Sequence, residues 1–110
     1  MKEIVDLLSK HGYIFKSLNK IDKKELKTRK NIDIFVGVDL KSYYVAIFVL
    51  KQKSRFVQKS ADEIEILYQR LKIVKDHNFK KKLFIFDLIM CSKAKEKLKS
   101  KNWKLIDATT

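Results

Sequence analysis

The stretch Asn31–Arg55, NIDIFVGVDLKSYYVAIFVLKQKSR, decides how the chain is read. Ile32–Leu40 is a nearly continuous apolar run, the pattern of a strand covered on both faces. Tyr43–Lys53 follows, with VAIFVL as its buried centre, and the turn Leu40-Lys41-Ser42 is too short for anything but an antiparallel hairpin. Asp33 stands at the start of the first strand, and Lys51, Lys53 and Arg55 stand at the end of the second. Side chains alternate along a strand, so Lys51 and Lys53 share a face. An odd-residue loop such as Lys41-Ser42-Tyr43 puts Asp33 opposite Lys51, whereas a two-residue loop throws Asp33 onto the other face.

Before the hairpin, Glu3–His11 reads as a helix, with Ile4, Leu7, Leu8 and His11 on one stripe and Gly12 as its left-handed stop. His11 is expected as a partly buried helix-end residue rather than a ligand, since no second ligand is near it in sequence. Tyr13–Leu18 is a short strand by residue type. Asn19–Lys30 is a basic connection, either solvated or a phosphate-contacting arm.

After the hairpin, Arg55–Lys59 either adds a short strand or leads into a helix. Ser60 and Glu63 form a capping box for that helix, with Ile64, Leu67, Leu71 and Val74 as its core stripe, broadened by Ile66 and Ile73. Asp76-His77-Asn78 closes it. A buried strand runs from Lys82 to about Met90. Ser92 caps a helix from Lys93 to Lys101, on which Lys93, Lys97 and Lys101 make an outward ridge. Trp103–Asp107 is a last strand. The expected fold is α/β (α+β), a mixed central sheet flanked by helices in the order αβββαβαβ.

The whole chain, 110 residues with 45% apolar residues and only two glycines, fits one folded domain with no linker. Lys and Arg number 26 against 13 Asp and Glu, a formal charge of +13. Such an excess repels itself on a small domain and points to a polyanionic partner, first of all nucleic acid. Cys91 is the single cysteine, which leaves no internal disulfide or cysteine-based metal site. A buried structural thiol is favoured over a nucleophile, because no base accompanies it. No run approaches a membrane span and the opening MKEIVDLL is wrong for a secretory signal, so a cytoplasmic protein with no membrane partner is expected.

In order and in letters, HGYIF, NIDIFV and VLKQKSR resemble the PD-(D/E)XK, or restriction-endonuclease-like, superfamily, especially its small Holliday-junction-resolvase-like members. The resemblance implies a DNA-acting, Mg2+-dependent nuclease that works as a homodimer. Asp33 would hold the metal with an acid from the second strand, and Lys53 would be the motif lysine helping to activate water. Lys51 occupies the place of that acid, so either Asp39 supplies the second metal-binding carboxylate or the protein binds without cutting. Arg55 would touch the scissile-strand phosphate.

GVDLKSYYVAIF also looks like the first hairpin of ribonuclease-H-like enzymes, with Asp39, Glu63 or Glu65, and Asp87 converging on two metals. The remaining reading is a non-catalytic basic nucleic-acid-binding or assembly module. Lys51, Arg55, Lys80, Lys81, Lys82, Lys93, Lys97 and Lys101 would grip phosphates, with Tyr43, Tyr44, Phe79 and Trp103 stacking on bases where exposed.

Overall fold

The structure, a computed structural model, describes residues 2–28, 32–75 and 79–108. Helix α1 (Lys2–Lys10) ends at Gly12, whose φ of +85° is the left-handed stop its sequence implies. Strand β1 (Phe15–Ile21) follows, then a 3₁₀ turn over Lys23–Leu26, strands β2 (Ile32–Asp39) and β3 (Tyr44–Lys51), and helix α2 (Gln58–Lys75). Strand β4 (Lys81–Asp87), helix α3 (Ser92–Ser100) and strand β5 (Trp103–Asp107) complete the order αβββαβαβ.

The five strands lie in the sheet in chain order. β1, β2 and β3 pair antiparallel, while β3, β4 and β5 pair parallel. The connections dictate this switch. A three-residue turn returns the chain antiparallel, whereas α2 and α3 are long enough to carry it back for a parallel pairing.

Both faces of the hairpin are covered, which is why its strands read as unbroken apolar runs. On one face Phe35, Val45, Ile47 and Val49 pack with Leu83, Ile85 and Ile106 beneath Leu8 of α1. On the other, Ile34, Val36, Ala46, Phe48 and Leu50 pack with Phe84, Phe86 and Trp103 beneath Ile64, Leu67, Leu71, Ala94 and Leu98 of α2 and α3. Gly37 makes room where the Phe15 ring of β1 lies over β2: a Cβ there would lie 2.8 Å from Phe15 Cδ1.

Several local expectations are corrected. α2 begins two residues before Ser60, with Val57 accepting from the Ser60 and Ala61 amides, so Ser60 lies in the first turn and not at the cap. Ile66, Ile73 and Val74 are exposed, because the sheet covers a narrower stripe of α2 made by Ala61, Ile64, Leu67, Tyr68 and Leu71. The cap of α3 is Cys91 rather than Ser92, its Sγ accepting from the Ala94 amide at 3.3 Å.

Part of the basic segment after Leu18 extends β1, and the next part is held down as the 3₁₀ turn. Leu26 is buried there, and Arg70 Nη1 donates to the Leu26 carbonyl at 3.1 Å. Arg55–Lys59 adds only one bridge, Phe56 to Met90, before α2. His11 is exposed rather than partly buried. The expected closure at Asp76-His77-Asn78 lies outside the described residues.

Candidate nucleic-acid interface

The β2–β3 turn has three residues, Leu40–Ser42, with Ser42 left-handed at φ 69°. Asp39 Oδ1 accepts from the Lys41 and Tyr43 amides, each at 2.9 Å, and so holds the turn shut. This odd loop pairs Val38 with Tyr44 and, further along, Asp33 with Val49. Asp33 therefore does share a face with Lys51, by alternation from Val49, but Lys51 lies diagonal to it. On the next strand Lys51 is opposite Asp87. The residue facing Asp33 is apolar and only 8% exposed.

The Asp33 carboxylate forms an ion pair with Lys20 of β1 at 3.3 Å. Lys20 falls in the segment Asn19–Lys30 that the sequence reads as a basic connection, whereas β1 continues through it to Ile21 and sets Lys20 beside β2. Asp33 and Asp39 do not meet. They sit at the two ends of β2, six residues apart, which at the rise of a strand is about 20 Å, so they cannot share one ion.

Lys51, Lys53 and Arg55 are exposed where the chain leaves β3. Gln52 pins that exit: its amide donates to the Asp87 carbonyl at 3.2 Å and its side chain to the Ser54 carbonyl at 3.0 Å. Phe56 is fully buried immediately after, with its amide donating to the Ile89 carbonyl at 2.7 Å. The cationic segment is thus a short bridge between two fixed points. It lies at the carboxyl ends of the parallel strands, the edge where open α/β sheets place their ligands.

The other basic residues divide between different places. Lys80 and Lys81 are exposed at the opposite end of the sheet, their ammonium groups 5.3 Å and 5.8 Å from the rings of Tyr43 and Tyr13. Lys82 points to the other face, lying against Tyr68 and Trp103 with Glu65 Oε2 at 3.6 Å. Burial pulls its ammonium below the usual lysine range, an effect that Glu65 partly offsets. With a side chain only 12% exposed, Lys82 is a packing residue. Lys97 is ion-paired to Asp62 of α2, which removes it from the outward ridge, whereas Lys93 and Lys101 are exposed.

The ribonuclease-H-like carboxylates are dispersed. Asp39 caps the turn and Asp87 ends β4 at the far side of the sheet. Glu65 is held by Trp103 Nε1 at 2.8 Å and by Lys82. Trp103 is buried, so it has no face to offer a base, while Tyr43 and Tyr44 are exposed.

A hard divalent cation requires several oxygen ligands. Around Asp33 the register supplies an apolar Val49, the ammonium of Lys51 and, two strands away, Asp87. Among the described residues no group of three or more His, Cys, Asp or Glu is placed to hold a metal ion. The donor set does not fit the ion that the nuclease resemblance implies.

No protein-family model matches the sequence, and no curated protein matches it. Solved structures do match in fold. A crystal structure of a protein of unknown function, AF1548, aligns over 96% of this chain and 54% of its own with a TM-score of 0.62 at 19% identity. EndoMS in its apo form aligns over 99% and 46%, TM-score 0.57, at 11% identity. A repair endonuclease from Pyrococcus abyssi aligns over 96% and 45%, TM-score 0.55, at 15% identity. The chain spans about half the length of these structures. The fold, a mixed five-stranded sheet with three helices, is shared with these structures, the repair endonuclease among them. Among the described residues, no helix is long and apolar enough to cross a membrane.

Proposed function

We propose that this chain is a nucleic-acid-binding module of nuclease-like build that engages duplex DNA through Lys51, Lys53 and Arg55 and does not hydrolyse it. The observation that carries the reading is the register: Val49 stands opposite Asp33, and Lys51, which takes the acid's place in the PD-(D/E)XK resemblance, comes next along the same face, so neither neighbour on β3 offers a carboxylate. Lys51 and Lys53 keep the places of the acid and the lysine that the sequence letters give them. A valine supplies no oxygen to a metal, and the Lys20 ammonium, 3.3 Å from Asp33 Oδ1, adds a cation beside the one carboxylate there.

What persists of such a site is its positive part. Lys51, Lys53 and Arg55 project from the carboxyl edge of the sheet, close enough in sequence to follow neighbouring phosphates of one strand. The net charge of +13 adds long-range attraction for a polyanion. A solved complex of EndoMS with double-stranded DNA, TM-score 0.53 to this chain, is consistent with that partner.

Fluorescence anisotropy with a labelled duplex tests the reading. Salt-sensitive binding that weakens in Lys51→Ala and Arg55→Ala, with the DNA intact after incubation with magnesium, is the expected result. Magnesium-dependent cleavage that disappears in Asp33→Ala would restore the nuclease.

A further inference from the structure

We infer that a second site, at the turn end of the hairpin, takes a single unpaired nucleotide. A cleft of about 390 Å³ opens there, on the same sheet face as Asp33 but at the opposite end of the strands. Gly12 turns the chain out of α1 just before Tyr13, the three-residue turn leads into Tyr43, and both tyrosines line the cleft. Phe15 helps to line it, lying across Gly37 where no Cβ stands in the way. Lys41, Lys80 and Lys81 stand around the opening.

The chemistry of the lining selects the ligand. Two tyrosine rings and a phenylalanine offer flat apolar surface for a planar base, and the lysines offer cations for its phosphate. The ammonium groups of Lys80 and Lys81 lie over the Tyr43 and Tyr13 rings, 5.3 Å and 5.8 Å from their centroids, so each covers one ring face and a base stacks on the other face or displaces the cation toward its own phosphate. The Lys80 amide donates to the Tyr44 carbonyl at 2.8 Å, which fixes β4's entry against the hairpin. The cleft's one acid, Asp39, has its Oδ1 turned to the Lys41 and Tyr43 amides, so its charge is partly taken up by the turn. A duplex buries its bases within the stack, so the ligand is a free nucleotide or an unpaired residue of a single strand. Among macromolecules, the inference shares with the proposed function only the class of partner, nucleic acid.

The test compares three probes on the full chain: thymidine 5′-monophosphate, a short labelled oligothymidylate and a duplex of the same length. Tyr43→Ala is expected to weaken oligothymidylate binding about tenfold, Tyr43→Phe to leave it within about twofold, and neither to alter duplex binding. Parallel loss of thymidine monophosphate binding identifies the free nucleotide as a ligand; loss confined to the oligomer identifies the strand. Thermal melts check that Tyr43→Ala is folded, and Lys80→Gln, on the outer surface, serves in its place if it is not. Oligothymidylate and nucleotide binding unchanged in these variants, or weakened equally by Tyr43→Phe, overturns the site even where duplex binding stands. Conversely, a single strand lost with Tyr43→Ala and no duplex binding at all supports this site and overturns the proposed function.

Discussion

Asp33 faces Val49 directly across the β2–β3 ladder, with Lys51 one step further along the same face. The pair couples the turn to the site some distance away. Because the turn has three residues, Asp33 falls on the face of Val49 and Lys51, and because it starts at Leu40, the residue opposite is apolar. The side chain at position 49 therefore sets whether Asp33 has a second carboxylate facing it.

Val49→Glu should therefore create what the wild type lacks. Burying a carboxylate at a position 8% exposed is expected to lower stability by about 1–3 kcal/mol in the absence of metal. With Asp33 opposite, manganese should then raise the melting temperature of the variant and leave that of the wild type unchanged. Differential scanning calorimetry with and without the ion measures both.

The ion pair of Asp33 with Lys20 is about half exposed on each side, 46% and 56% of the respective side chains. Such pairs contribute at most about 1 kcal/mol. Urea denaturation of Lys20→Ala should show a loss within that limit. A larger loss would mean that Lys20 packs on the sheet as well as pairing.

Duplex affinity should fall linearly with the logarithm of salt concentration. Each phosphate-contacting cation that is removed should flatten the slope by about one unit. Lys51→Ala and Arg55→Ala should each do so, whereas Lys82→Met should not, because Lys82 is folded against Tyr68, Trp103 and Glu65. Anisotropy titrations at several salt concentrations distinguish the two classes.

Lys82 also sets a pH dependence. Its folded pKa is lowered, first by burial, with Glu65 acting to raise it. Between the folded and the unfolded value of a lysine, near 10.5, the unfolded chain holds the additional proton, so this group makes stability rise with pH in that window. Glu65→Gln removes the offset and should push the Lys82 pKa lower still, as read by NMR titration of its side-chain carbon. At neutral pH the same variant should lose about 1–3 kcal/mol, since it leaves a buried charge poorly paired.

The hairpin and the strand Trp103–Asp107 were legible because both strands of the hairpin are buried on two faces and, in the last strand, Trp103 and Leu105 alternate about the exposed Lys104. The order of elements followed from their lengths and from the turns between them. Register was harder: the site depends on whether the turn starts at Leu40 or Lys41, and both satisfy the same composition. The run Lys80-Lys81-Lys82 looks uniform in one dimension, yet Lys82 shares its parity with Phe84 and Phe86 and so turns inward with them. That parity was the available signal. Ile66 and Ile73 misled because α2 is apolar on more than one side, and only the packed helix reveals which stripe meets the sheet.

The most direct test of the central claim is to incubate the protein with labelled linear and branched DNA in magnesium and in manganese, and to follow binding and strand breakage together. The account predicts salt-sensitive binding with every strand intact in both ions. Metal-dependent breakage by the wild type, abolished by Asp33→Ala, would contradict it.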